Sequence, residues 1–340
     1  MRNLLVLLLL SLFPQAPAGF PPLGIIDFYG LRTVSEAQVR PALSFHEGDA
    51  IDIVQFEKRK HEAEQKIASI PGVKEAFLTL VCCADGQKSI LYVGIEEANT
   101  ACSAFQPAPE GSARLAGEVV RAGSDFDAAF QKSMEKGDFA EDDSQGYALF
   151  HDPDVRAVQL RFVTLAEVHF SNLIDVLRDS SDARQRALAA EVLGYVKDKQ
   201  SVVPDLVAAM RDPSPDVRNN ATRALVVFSR FSPTPPAEKI RIPPQPFIEL
   251  LNSCIWTDRN KSSAALAELT EQRDPLLLAA LQKQALPSLL EMAQWKSMGH
   301  AWSSLMILGR IGGLSDDEIE KHLDAGDRGT VIAAATKAGQ

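Results

Sequence analysis

Six histidines, His46, His61, His151, His169, His300 and His322, are the residues most able to move protons near neutral pH, and they are scattered. None stands in a recognised motif with a serine, cysteine or acid partner. No GxSxG, HExxH or glycine-rich phosphate loop occurs, so no catalytic residue is assigned and an enzyme is not expected. Asp138, Glu141, Asp142 and Asp143 concentrate carboxylates of the kind hard cations favour, but the spacing is not that of an EF-hand. A solvated acidic loop is the expectation, with no metal or cofactor. The four cysteines, Cys82, Cys83, Cys102 and Cys254, form no CxxC pair and have no histidine at ligand spacing, which argues against zinc.

The elements that carry these residues change character along the chain. Leu23, Ile25, Ile26 and Phe28 read as a strand ended by Gly30, and Ser35 with Gln38 has capping-box spacing for a helix through Leu43. Phe56, Ala63, Ile67 and Ile70 then share one face of a second helix, stopped by Pro71-Gly72. Residues 73–83 and 88–96 are two strands joined by a turn containing Asp85-Gly86. Ala76, Leu78, Leu80 and Cys82 alternate onto one face of the first, Leu91, Val93 and Ile95 onto the same face of the second, and this face must meet the helices. Cys82 is therefore expected to be a buried free thiol. Cys83 points to the opposite, helix-free face, which the following segment crosses, so a Cys83–Cys102 disulfide is preferred over a strained vicinal Cys82–Cys83 bond, with Cys254 left unpaired.

The strand-helix-helix-strand-strand order, with the Ile-x-x-x-Gly pattern at Ile26 to Gly30, Glu47-Gly48-Asp49, Pro71-Gly72-Val73 and Val93-Gly94-Ile95-Glu96-Glu97, resembles a POTRA domain over residues 23–97. POTRA domains are small periplasmic modules of outer-membrane assembly and secretion proteins, and usually precede a β-barrel or membrane anchor, neither of which is expected from this sequence. What the resemblance implies is a sheet edge able to accept a strand from another polypeptide.

Residues 98–112, rich in Ala, Pro and Gly, read as a linker that proteases should cut first, and from residue 113 to 340 the chain turns helical. Leu173-Ile174-Asp175-Val176-Leu177-Arg178-Asp179 aligns with Leu206-Val207-Ala208-Ala209-Met210-Arg211-Asp212, 33 residues on. Asp182 and Arg184 align with Asp216 and Arg218, Ala187 with Ala221, and Ala190 with Ala224, while Asp154 and Arg156 begin the same way. The alanines should sit buried between helices; the acids suit helix starts and the arginines bridge neighbouring turns, a structural reading of those charges. Pro204 and Pro287 are expected in first helical turns. These features resemble HEAT repeats, which implies a solenoid of helical hairpins over about residues 146–313. The polar segment Asp316-Asp317-Glu318-Ile319-Glu320 is expected to close the stack.

The first 18 residues carry a signal-peptide pattern, with Arg2, an apolar stretch from Leu4 to Phe13 and Ala16-Pro17-Ala18 before the expected cut. Export to a periplasm or beyond the cell follows. A composition of 46% hydrophobic and 24% charged residues excludes a disordered chain, and 35 basic against 45 acidic residues, a formal net charge of -10, repels phosphate backbones. The fold class is thus multidomain: a small α+β domain followed by an all-α solenoid, exported and binding protein partners. Two alternatives stand beside a non-enzymatic scaffold: an accessory factor of envelope assembly that holds client strands at the sheet edge, and a hydrolase or lyase with an unrecognised site in the solenoid groove.

Overall fold

A computed structural model describes residues 21–84, 88–100, 102, 105–136, 140–231 and 240–338. The expected cleavage site at Ala18, Asp138 and the side chains of Cys82 and Cys83 lie outside the described residues. The N-terminal module runs β1 (Leu23–Tyr29), α1 (Glu36–Val39), α2 (Ile53–Ala68), β2 (Val73–Ala84) and β3 (Lys88–Glu97), a small sheet region of order β1-β3-β2. β1 runs parallel to β3, and β2 antiparallel to it with Leu78 opposite Val93. One sheet face buries Ala76, Leu78, Leu91, Val93 and Ile95 against Phe56, Ala63 and Ile67 of α2, as the alternation requires.

The opposite face is not helix-free. Tyr29, Ile90 and Tyr92 are fully buried in the core of the helical region. Tyr29 Oη donates to the Cys254 carbonyl at 2.8 Å, and the Tyr92 ring stacks on Trp256 with centroids 5.1 Å apart. Asp27 accepts from the Lys296 amide at 2.9 Å, and Glu291 from the Gly30 amide at 2.8 Å. A side chain at Gly94 would collide with the Cys254 carbonyl and the Tyr29 ring, so glycine is what lets the sheet approach this closely. The sheet is therefore a middle layer, with α2 above and the helical region below.

The helical region begins with α3 (Gly117–Lys136), a short hairpin of β4 (Glu141–Asp142) and β5 (Leu149–Phe150), and α4 (Pro153–Val168). Helix pairs follow: α5 (Phe170–Asp179) with α6 (Ala183–Leu193), α7 (Lys199–Ala209) with α8 (Pro215–Arg230), α9 (Gln245–Leu250) with α10 (Trp256–Leu269), and α11 (Pro275–Met292) with α12 (Met298–Ile311). A last pair, α13 (Asp316–Asp324) and α14 (Arg328–Ala338), carries the stack beyond residue 313, and the acids at 316–318 start α13 rather than end the array. The second helices stack in the order α6, α8, α10, α12, α14. Ala187, Ala190, Ala221 and Ala224 are buried, where small side chains let neighbouring helices approach. Pro204 and Pro287 lie inside α7 and α11 rather than at their starts, because the caps Asp198 and Asp274 begin those helices earlier. Each proline therefore removes one intrahelical hydrogen bond.

Candidate protein-binding surface

The turns that join first to second helices are organised by a row of arginines. Arg156, Arg186, Arg218 and Arg259 each stand four residues after the cap of α4, α6, α8 and α10, at Asp152, Asp182, Ser214 and Ile255. Each reaches back to the carbonyl two residues before its cap: Phe150, Ser180, Asp212 and Ser253. Each also meets a carboxylate, in the same order Asp142, Asp212, Asp258 and Glu291. Arg186–Asp212 at 2.7 Å and Arg218–Asp258 at 2.9 Å are buried pairs. The helix register corrects the aligned residues: Arg186, not the exposed Arg184, is the counterpart of Arg218, since both follow their caps by four positions. Asp182 caps α6, whereas Asp154 and Asp216 lie in the first turns of α4 and α8.

The segment after β3 covers this row of turns. Cys102 is bonded to Cys254, not to Cys83, because the sheet's second face docks on the α9–α10 turn that holds Cys254 and brings the start of the segment to it. Farther along, the Phe105 ring lies 3.6 Å from the Arg218 guanidinium carbon, the Gln106 amide donates to the Arg211 carbonyl at 2.8 Å, and Gly111 forms a β-bridge with Ser180. What composition marks as a linker is a strap bonded to three successive turns.

The face built from the second helices is different in chemistry. Arg223 and Arg230 project from α8, Lys261 and Glu268 from α10, and Glu191 from α6. Onto this face folds the arm that leads into the β4–β5 hairpin, and its three consecutive acids pair with three arginines: Glu141 with Arg223 at 2.9 Å, Asp142 with Arg156 at 3.1 Å and Asp143 with Arg230 at 3.3 Å. The carboxylates expected to sit in solvent or hold a cation are thus taken up by guanidinium groups. Hydrogen bonds from the Ser144 hydroxyl and amide, with Arg156, hold the Asp142 carboxyl down at about 2. Burial, reinforced by the neighbouring Arg223 charge, pushes the Lys261 ammonium down to about 8. Lys199 is also lowered to about 8 by burial, under a ring of Tyr147, Phe231 and Phe228 with the Tyr147 centroid 4.1 Å from its Nζ.

Two other surfaces complete the inventory. The outer edge of β2 is partly closed, because Glu64 of α2 accepts from the Leu78 amide at 2.8 Å and occupies a donor that an added strand would need. A cleft of about 430 Å³ between module and helices is lined by Asp27, Phe28, Glu291 and Lys296, whose polar groups already bond one another or nearby backbone. Among the histidines, His169 meets Glu118, His322 meets Asp327 and His300 meets Tyr92. Among the described residues, no three or more His, Cys, Asp or Glu side chains gather as a metal site, and no helix is long and apolar enough to cross a membrane.

Stacked helical hairpins of this kind define a helical-repeat solenoid, a fold typical of protein-binding scaffolds, here with a small sheet-bearing module seated on it. A family model of HEAT repeats matches residues 170–237, the stretch that contains α5 to α8. Similar solved structures are computationally designed armadillo repeat proteins for modular peptide recognition, with a TM-score of 0.36 and 16% identity over 54% of this chain and 93% of that one. A designed armadillo repeat protein in complex with the peptide (KR)4 aligns with a TM-score of 0.35 and 15% identity, covering 56% of this chain and 96% of that one. No curated protein matches the chain.

Proposed function

We propose that this protein is an exported, non-enzymatic scaffold that binds an extended segment of a partner protein on the face of its second helices. The observation that carries this reading is that the solenoid already holds two extended segments of its own chain, the strap along its turns and the acidic arm over α8. The turn edge is occupied from α5 to α12 by strap and module, and of the two helix layers that stay open the second-helix layer is the one that already takes an extended segment, the acidic arm. Export is supported by the signal-peptide pattern and by the Cys102–Cys254 bond, since disulfides persist in oxidising compartments. The module keeps the POTRA-like strand order, but its sheet is buried on both faces and Glu64 blocks part of its edge, so capture of client strands in envelope assembly is the weaker of the two binding modes.

The test is site-specific photo-cross-linking in the producing cell. A photo-reactive side chain placed at Asn260 on α10 should trap a protein partner, and one placed at Lys74 on β2 should not. Cross-links from Lys74 alone would transfer the function to the module's sheet edge, and none from any second helix would remove the scaffold reading. Mass spectrometry of the mature chain should find Gly19 as its first residue, and an intact Met1 would refute cleavage after Ala18.

A further inference from the structure

The acidic arm differs from the rest of its hairpin in how it is held. On the returning side Leu149 and Phe150 are buried, Phe150 meets the Phe130 ring with centroids 5.1 Å apart, and Tyr147 stacks on Tyr195. On the leading side, Glu141, Asp142 and Asp143 lie on the surface, and each side chain reaches the solenoid through an ion pair. Two ladder positions, Glu141 with Phe150 and Asp142 with Leu149, and the His151 amide donating to the Ala140 carbonyl at 2.9 Å join the two sides. Glu141 and Asp143 are 39% and 37% exposed within these pairs, and salt screens such partly open pairs but not buried rings, so the leading side can leave the surface while the returning side stays anchored.

Removing those three carboxylates would change the sign of the face beneath. Arg156, Arg223, Arg230 and Lys261 would then outnumber Asp127, Glu191 and Glu268, in a protein whose formal net charge is -10. A basic strip on an acidic protein, with its arginines spaced to meet consecutive carboxylates, is complementary to an extended acidic peptide. We propose that the α8 face centred on Arg223 and Arg230 is the docking site for an acidic segment of a partner protein, and that Glu141 to Asp143 are its built-in competitor. The inference rests on the scaffold reading above and specifies its partner. An acidic segment in trans displaces the leading side of the hairpin and takes over its guanidinium partners, so occupancy is set by competition between identical chemistries within one site.

The test uses the full mature chain and a fluorescein-labelled hexapeptide of alternating Glu and Asp, followed by fluorescence anisotropy. A Glu141→Gln/Asp142→Asn/Asp143→Asn variant should bind it about tenfold more tightly than the wild type, and adding Arg223→Gln and Arg230→Gln should abolish the gain. Hydrogen exchange on the wild type gives a second reading independent of any variant's folding: saturating hexapeptide should speed exchange at residues 141–146 and leave Phe150, whose amide donates to Gln159 Oε1 at 2.8 Å, protected. Equal affinity of wild type and triple variant, a gain that survives loss of both arginines, or unchanged exchange at 141–146 would each overturn the proposal. An equal gain for a single-stranded thymidine hexanucleotide would overturn the choice of an acidic protein segment. A partner cross-linked at Asn260 without any hexapeptide gain refutes this inference and leaves the scaffold standing, whereas absence of cross-links along the second helices refutes the scaffold itself.

Discussion

The Arg218–Asp258 pair ties α8 to α10, and removing one member should show how much of the stack depends on it. Asp258 receives Arg218 Nε at 3.1 Å and Nη2 at 2.9 Å, together with the Ser253 hydroxyl at 2.7 Å. The two side chains are 1% and 0% exposed, so water cannot replace a lost partner. In Asp258→Ala, Nη1 keeps the Asp212 and Pro213 carbonyls, but Nε and Nη2 lose their acceptor in the interior. An uncompensated buried charge costs about 3–5 kcal/mol, and that is the expected loss in unfolding free energy. Removing both charges in Arg218→Met/Asp258→Ala should recover about 1–3 kcal/mol of it, because the penalty belongs to the stranded charge rather than to the missing attraction. Urea unfolding followed by tryptophan fluorescence reports on the right place, since Trp256 begins α10 two residues before Asp258. A single variant within about 1 kcal/mol of wild type, or a double variant worse than the single, would refute the account.

Three further perturbations follow from other contacts. Ala221 is fully buried between second helices, so Ala221→Leu should destabilise by roughly 1–3 kcal/mol in the same urea assay, and an unchanged midpoint would contradict the register. The Glu97 carboxyl is pushed up by burial, yet the Thr33 hydroxyl and the amides of Arg32, Thr33 and Val34 outweigh that and hold it at about 2. Because its folded value lies below the ordinary 4.5, its contribution is complete above that pH and is lost as pH falls from there towards 2. Wild-type stability should therefore drop across that window more steeply than that of Glu97→Gln, and parallel pH profiles would count against it. The Cys102–Cys254 bond closes a loop of 152 residues, so Cys254→Ser should cost about 2–5 kcal/mol and make the strap near Arg114 newly sensitive to trypsin; an unchanged digestion pattern would show that the strap is held without it.

How much of this was legible depends on whether the signal lies within one element or between distant ones. The alanines of α6 and α8 and the two-faced helix α2 announce themselves through spacing, and the 33-residue recurrence of Leu173 at Leu206 finds the solenoid. The sequence alignment paired Arg184 with Arg218, because Asp-x-Arg looks alike in both, whereas helix caps set the true register at Arg186. The buried second face of the sheet leaves a trace in the sequence: Ser89 to Glu97 shows no polar alternation, and Ile90 and Tyr92 are large and mostly apolar beside Leu91 and Val93. Neither the pairing of Cys102 nor the arginines beneath Glu141 to Asp143 leaves a local trace, because both depend on surfaces that exist only when repeats stack.

The seating of the sheet on the α9–α12 turns also imposes a timetable on synthesis. Tyr29 and its acceptor Cys254 are 225 residues apart, and Asp27 and the Lys296 amide 269. The first domain to be made therefore cannot cover Tyr29, Ile90 and Tyr92 until nearly the last helices exist. During that interval it presents an apolar sheet face and an unpaired Cys102, so the nascent protein needs its own C-terminal half, or a chaperone in its place, to be finished.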